Sequence, residues 1–416
     1  MNTLSLKTLV AAVAASLLAA GAASAQIVGG GATLPENLYN GKAAPFKSGI
    51  ITSITGFDKY IGVGSGNGKK AFFGDNSDFF TVKNAAGDNV PVYNPKVRVH
   101  YAGSDSLVTS TELTNYNAHT TAGKAAFGPL VQIPVALTSV TVPFKGFSSL
   151  KLTGEQLNKI FTDPAITTWD QVITGGPAVP IKVVYRADGS GTTEIFLRHL
   201  KAVNPSNPNL SGVSSTFSSV VNVSNTSKYI AANGTADVIT QLNANNYSIA
   251  YVSPEVVEFG NPAKVASIQN KNLSAPNDYV LPTINNVQNA VNAIHPPGTP
   301  LSSLNPVDPI HWGIGAQPTE TALALPAAGY PITGVTNLLL SQCYADFDVE
   351  GGILDFLNKN YSATAAASAN DAKIIANNLV PLPTNWQNAV HETFAKPSSS
   401  TLAIGNASVC AGHAGR

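Results

Sequence analysis

Three glycine-flanked polar turns hold the residues best suited to chemistry. The first is Gly29-Gly30-Gly31-Ala32-Thr33-Leu34-Pro35, ahead of a predicted helix. The second is Gly62-Val63-Gly64-Ser65-Gly66-Asn67-Gly68-Lys69. The third is Arg186-Ala187-Asp188-Gly189-Ser190-Gly191-Thr192-Thr193, which leads from a strand pattern into a helix pattern. Glycine lets the backbone approach a ligand closely. The first N–H groups of a helix are unpaired and favour an anion. Serine and threonine add hydroxyl donors, and Arg186 adds a planar fork matched to phosphate or carboxylate oxygens. Together the three turns point to an oxyanion held by many neutral donors and one cation.

Familiar enzyme motifs do not fit these turns. A P-loop over Gly68-Lys69 needs glycine at Val63 and serine or threonine at Lys70. A dinucleotide fingerprint from Gly62 needs glycine at Asn67. A nucleophile elbow needs glycine two places either side of its serine, but Val63 and Asn67 flank Ser65, and Asp188 and Thr192 flank Ser190. The seven histidines show no metal-binding spacing, His199 reads as a residue that packs or points outward, and neither a metal nor a cofactor is expected.

The turns must be positioned by a sizeable fold. The chain has 416 residues, enough for two domains, and 44% of them are hydrophobic. Charged residues make up 12%, with 24 Lys+Arg against 24 Asp+Glu. That balance excludes a nucleic-acid binder held by a basic face. Lys7, the apolar run Leu9–Ala20 and the small-residue site Ala23-Ser24-Ala25 predict a secretory signal peptide over 1–25, with the mature chain starting at Gln26. Two cysteines, Cys343 and Cys410, are expected to pair in an exported protein, contributing about 4 kcal/mol through loop closure.

Strand and helix signals alternate along the chain. Val97–Tyr101, Val135–Phe144, Ile181–Tyr185 and Ile249–Val252 read as strands. Thr153 with Gln156 three places on forms a capping box before Leu157, Ile160 and Phe161. Thr193–Leu200 and Val238–Leu242 read as helix, Leu281–Pro309 as irregular connection, and Ala363–Ala372 as helix surface. Strands separated by helices predict an α/β protein with mainly parallel sheets.

The same segments carry a family resemblance. Gly30–Tyr39, Gly62–Gly68, Tyr101–Ser106, Leu152–Trp169, Arg186–Leu200, Ile249–Glu255 and Tyr330–Thr333 follow one another in the order found in the periplasmic phosphate-binding proteins of ABC importers. Within that family the chain resembles the DING proteins most. The resemblance implies a two-lobed clamshell of the type II periplasmic-binding-protein class, with ligand in the cleft between lobes. Lobe one would be 26–143 plus 329–416, and lobe two 144–328. Thr33 and Leu34 would donate backbone N–H groups. Ser65, Ser190, Gly191 and Thr192 would donate from hydroxyl or backbone. Arg186 would be the cation, held by Asp188, and Asp105 would accept the phosphate's own proton. Leu34 stands where many importer proteins have Phe, and Lys69–Pro95 makes a longer excursion that reads as a loop or hairpin at the cleft rim.

The implied function is capture of inorganic phosphate in the periplasm or outside the cell, by a monomer that delivers it to an ABC permease. An extracellular scavenger that meets no permease would use the same site. The alternative is a secreted phosphatase or phosphotriesterase using the same cradle. Asp105 would set selectivity. Phosphate near neutral pH carries a proton and sulfate carries none, so an ionised carboxylate gains a short charged bond with one and repulsion with the other.

Overall fold

The computed structural model describes residues 26–42, 49–271, 279–316, 318–364 and 366–416. The leader read over 1–25 lies outside the described residues. The strands are β1 (Gly29–Gly31), β2 (Ile61–Gly62), β3 (Thr81–Lys83), β4 (Asn89–Pro91), β5 (Tyr101–Ser104), β6 (Leu130–Ser139), β7 (Lys151–Leu152), β8 (Lys182–Arg186), β9 (Tyr229–Ala232), β10 (Ser248–Ala250), β11 (Ser267–Gln269), β12 (Tyr279–Val280) and β13 (Thr333–Ser341).

One sheet has the order β2-β1-β5-β13-β6. Its β2, β1 and β5 are parallel, while β13 runs antiparallel to both β5 and β6. The sheet is therefore mixed rather than mainly parallel. β6 and β13 are buried at every position, which is why their sequences run apolar instead of alternating. Their register shifts between Thr336 and Asn337, opposite Pro134. Proline has no N–H to give a ladder, and a bulge is where a sheet interior tolerates it. Two further three-stranded sheets are the parallel β10-β8-β9 and the mixed β12-β11-β7.

Two stretches of chain run side by side between the sheets. After β6, Thr141 pairs with Val252, Phe144 with Ile249, and Pro143 with Val265. On the return, the Val140 N–H donates to Ile332 O at 2.9 Å and the Tyr330 hydroxyl to Val140 O at 3.0 Å.

Several local readings hold. The Thr153 capping box starts the helix Gly154–Thr162, with Thr153 Oγ1 accepting from Gln156 N and Gln156 Oε1 accepting from Thr153 N. The excursion after Lys69 is the tail of the helix Ser65–Gly74 followed by the β3–β4 hairpin. Cys343 and Cys410 form a disulfide with their Cα atoms 5.4 Å apart. Other readings do not hold. Leu281–Pro309 contains the helix Ile284–Val291. Ala365 lies outside the described residues; Ala363 and Ala366 lie in bends and Ala369 in a turn, with helix only at Asp371–Ala376. Alanine's helix propensity is weak without an apolar face to bury, and this stretch has none.

The segment 284–312, placed by the sequence reading in lobe two, packs against the first sheet and its helices. Gln132 of β6 donates to Pro309 O at 3.2 Å, Gln288 donates to Pro381 O at 3.2 Å, and Trp386 donates to Ile294 O at 2.8 Å. Trp312 packs edge-on against Phe394.

The segment ending at Arg416 is also laced into the first sheet and the helix Ser65–Gly74. The Arg416 guanidinium lies 3.9 Å from the Phe72 ring centre and 4.4 Å from that of Phe127. It donates to Ser341 Oγ at 2.7 Å, Val99 O at 2.6 Å and Phe72 O at 3.1 Å. A cation thus sits at the C-terminal end of the helix that begins with Ser65, where the helix dipole favours it.

Candidate functional site

The first half of the site grows from the carboxyl ends of β1, β2 and β5, the edge where parallel sheets place ligands. Three chain segments converge there because glycines allow it. Gly31 has φ +140, and a Cβ on it would lie 2.1 Å from Gly103 O. A Cβ on Gly68 would lie 2.4 Å from the Gly31 Cα, so the helix Ser65–Gly74 can seat directly on β1. The buried Tyr60 hydroxyl donates to Ala32 O at 2.8 Å and fixes the turn that carries Thr33 and Leu34. Thr33 is exposed there, whereas the Leu34 side chain is buried in the core. Ser65 Oγ accepts from the Asp105 N–H at 3.0 Å. Its one proton can then be donated to something else.

The second half grows from the end of β8. Arg186 Nε donates to Asp188 Oδ1 at 2.7 Å, and Nη2 to Oδ2 at 2.5 Å. Nη1 donates to Thr235 Oγ1 at 3.2 Å. The Gly234 N–H also reaches Asp188 Oδ1, at 3.0 Å. Burial works to raise the Asp188 carboxyl, but the Arg186 and Gly234 hydrogen bonds outweigh it and leave it below the usual range. The Tyr251 hydroxyl accepts from Arg186 N at 3.1 Å and lies 2.8 Å from Thr193 Oγ1. Ser190 is the N-cap of the helix Gly191–Val203, and its side chain makes no capping hydrogen bond. The N–H groups of the first turn, at Gly191 and Thr192, therefore have no partner within the helix.

The two halves meet at Asp105 and Gly191. A Cβ on Gly191 would lie 2.6 Å from Asp105 Cβ and 2.9 Å from Oδ2. Asp105 is buried, and its Oδ1 has no hydrogen-bond partner. Burial pushes its carboxyl up to about 7. The Thr336 hydroxyl opposes this, while Glu255 and Glu194 add to it. Outside this contact a cavity of about 770 Å³ opens, lined by Ser65, Ser190 and Gly191 together with Lys69, Lys70, Phe73 and Ser215. Ser65, Asp105, Ser190 and Gly191 are thus gathered at one point. Arg186, Asp188 and Thr192 stand beside them on the β8 side, and Thr33 and Leu34 on the β1 side.

Four residues of this neighbourhood were not singled out by sequence. Thr235 stands in Asn233-Gly234-Thr235, whose outward pattern is a glycosylation sequon. Thr336 lies inside an apolar strand. Tyr251 and Glu255 lie in Ile249–Glu255, where an acid closing an otherwise apolar run was the available signal.

The PBP superfamily domain model matches residues 18–295. A phosphate-binding protein from an unknown prokaryotic organism is 36% identical over 404 residues, covering 93% of this chain and 98% of its own. The chain belongs to the PBP superfamily, among the DING phosphate-binding proteins. Its fold matches that of PfluDING, a high-affinity periplasmic phosphate-binding protein solved with phosphate at pH 8.5, with TM-score 0.76 and 38% identity over 94% of this chain and 99% of that one. Alkaline phosphatase L of Pseudomonas aeruginosa is similar too, at 35% identity over 406 residues, 96% of this chain and 97% of its own.

Proposed function

We propose that this protein captures inorganic phosphate in the cleft between its two lobes and hands it to an ABC permease. The observation that carries the reading is the meeting of Asp105, a buried acceptor with a free oxygen, with the bare helix start at Gly191. Phosphate entering there brings its own proton to Asp105. Its remaining oxygens take the N–H groups of Gly191 and Thr192, the hydroxyls of Ser65 and Ser190, and the N–H groups of Thr33 and Leu34. Arg186 supplies the positive charge, and its fork is held in plane by Asp188.

We assign the first lobe to the β2-β1-β5-β13-β6 sheet with 284–312 packed on it, and the second to the β10-β8-β9 and β12-β11-β7 sheets. The crossings near 140–144 and 329–333 are the hinge, and closure about them buries the anion. The protein acts as an exported monomer. Among the described residues no helix is long and apolar enough to cross a membrane.

The name alkaline phosphatase L carried by a close-length relative supports a second reading, hydrolysis of phosphate esters in the same cradle. Calorimetric titration with phosphate, with and without sulfate, run beside a phosphomonoester turnover assay, separates the two. Binding of phosphate in excess sulfate with no turnover supports capture. Turnover that Asp105→Asn abolishes supports hydrolysis.

A further inference from the structure

Glu255 is a half-buried carboxyl within electrostatic reach of Asp105. It follows Val252, which exchanges backbone hydrogen bonds with Thr141 of the first crossing, at 2.8 and 3.0 Å. Pro254 O accepts from Asn378 of the first lobe at 3.2 Å. The acid is therefore fixed where the two lobes join. Ser253 Oγ donates to Glu255 Oε1 at 2.6 Å, but Oε2 is buried with no hydrogen-bond partner.

Its electrostatic neighbours span the site. Asp105 and Lys42 face it from the first lobe, and Arg186 from the end of β8. On its outer side it lines a cavity with Lys145, Glu258 and Lys264. Asp105 in turn is faced by Glu194 of the helix Gly191–Val203 and by the buried phenols of Tyr39 and Tyr60. Glu194 is balanced by Arg198 at 2.6 Å, and Arg186 by Asp188. Asp105 and Glu255 remain, two carboxyls close enough for the charge of Glu255 to act on Asp105. Like charges in a poorly solvated site resist ionising together. Burial also holds Glu255 above the usual carboxylate range.

We propose that Glu255 makes phosphate capture proton-coupled: in the empty cleft it ionises as pH rises, and it takes a proton from solvent when the phosphate dianion enters. The balance is one HPO4²⁻ and up to one H⁺ taken up per site. The phosphate's own proton stays between ligand and Asp105, and the added one rests on Glu255. A protonated Glu255 adds no charge to the site, whereas an ionised one repels the dianion through space. This rests on the phosphate-binding reading above.

The test is phosphate calorimetry from pH 6 to 9 in buffers of different ionisation heat, with wild type, Glu255→Gln and Glu255→Ala. Glutamine keeps the shape of the protonated acid and cannot titrate. The expected result is more proton uptake by wild type than by Glu255→Gln at pH 8. The ratio of wild-type to Glu255→Gln Kd should rise at least about threefold across the range, as a like charge is added on one protein alone. Parallel Kd profiles with equal proton counts overturn the role of Glu255. Should one variant fail to fold, the other still decides by the same comparison, and no wild-type uptake at any pH beyond what phosphate and Asp105 exchange overturns the proposal as well. No phosphate heat in any folded protein overturns instead the phosphate reading beneath it.

Discussion

Gly191→Ala tests the cleft most sharply because its effects on folding and on binding should have opposite signs. Gly191 opens a regular helix, where alanine is intrinsically better than glycine by up to about 1 kcal/mol. On that ground alone the variant should fold at least as well as wild type. The new Cβ, however, would lie 2.6 Å from Asp105 Cβ and 2.9 Å from Oδ2. Ordinary contact between such atoms begins at about 3.5 Å, so the lobes must part by about 1 Å at the point where both face the anion. Displacements of that size in a preorganised polar site cost on the order of 10²-fold. Calorimetry should show phosphate Kd raised about 10- to 100-fold, with a melting temperature in the absence of phosphate equal to or above wild type. Gly189→Ala is the control in the same loop, since its Cβ would approach nothing closer than Ser215 Oγ at 3.8 Å. If folded Gly191→Ala binds phosphate within about twofold of Gly189→Ala, Asp105 and Gly191 do not close on the ligand and the reasoning fails.

Asp105→Asn should lose phosphate-over-sulfate preference by on the order of 10²-fold or more, read by competition calorimetry, because an amide can donate to sulfate as a carboxylate cannot. The same variant tests the buried carboxyl through stability. A folded value near 7 against an ordinary 3.8 means that Asp105's contribution is fully present below about pH 3.8 and lost as pH rises through 7. The stability of phosphate-free wild type relative to Asp105→Asn should therefore fall between pH 4 and 7, by at most about 4 kcal/mol, in urea titrations. Reducing Cys343–Cys410 should lower stability by about 4 kcal/mol through loop entropy, while leaving phosphate Kd of the folded protein unchanged. Arg416→Ala should cost about 3 kcal/mol or more in urea unfolding, since Val99 O, Phe72 O and Ser341 Oγ lose a buried donor. Arg416→Lys should restore part of it, because an ammonium cannot span the same acceptors.

Local chemistry was legible in the sequence where one short segment contains its own reason. The Thr153–Gln156 capping box and the strand–turn–helix around Arg186–Thr193 are complete within about a dozen residues, and both formed as read. The cysteine pair was legible because only two thiols were available. What escaped depends on distant partners. β13 enters the first sheet antiparallel, between β5 and β6, and no pattern within Thr333–Ser341 states its direction. The packing of segment 284–312 on the first sheet was not visible, because its anchors, Gln132, Pro381 and Trp386, lie far away in sequence. Glu255 and Thr235 gained meaning only when folding brought one within electrostatic reach of Asp105 and the other onto Arg186. The low overall charge also becomes intelligible, because the cradle relies on hydroxyls and backbone N–H groups, with its one arginine already balanced by Asp188.

A crystal structure of the phosphate complex tests the central claim most directly. The expected result is one phosphate bridging the lobes, with an oxygen against Asp105, others on the N–H groups of Gly191 and Thr192 and the Ser65 hydroxyl, and Arg186 still forked on Asp188. A phosphate bound only in the outer cavity on Lys69 and Lys70, touching neither Asp105 nor the start of the Gly191–Val203 helix, would contradict it.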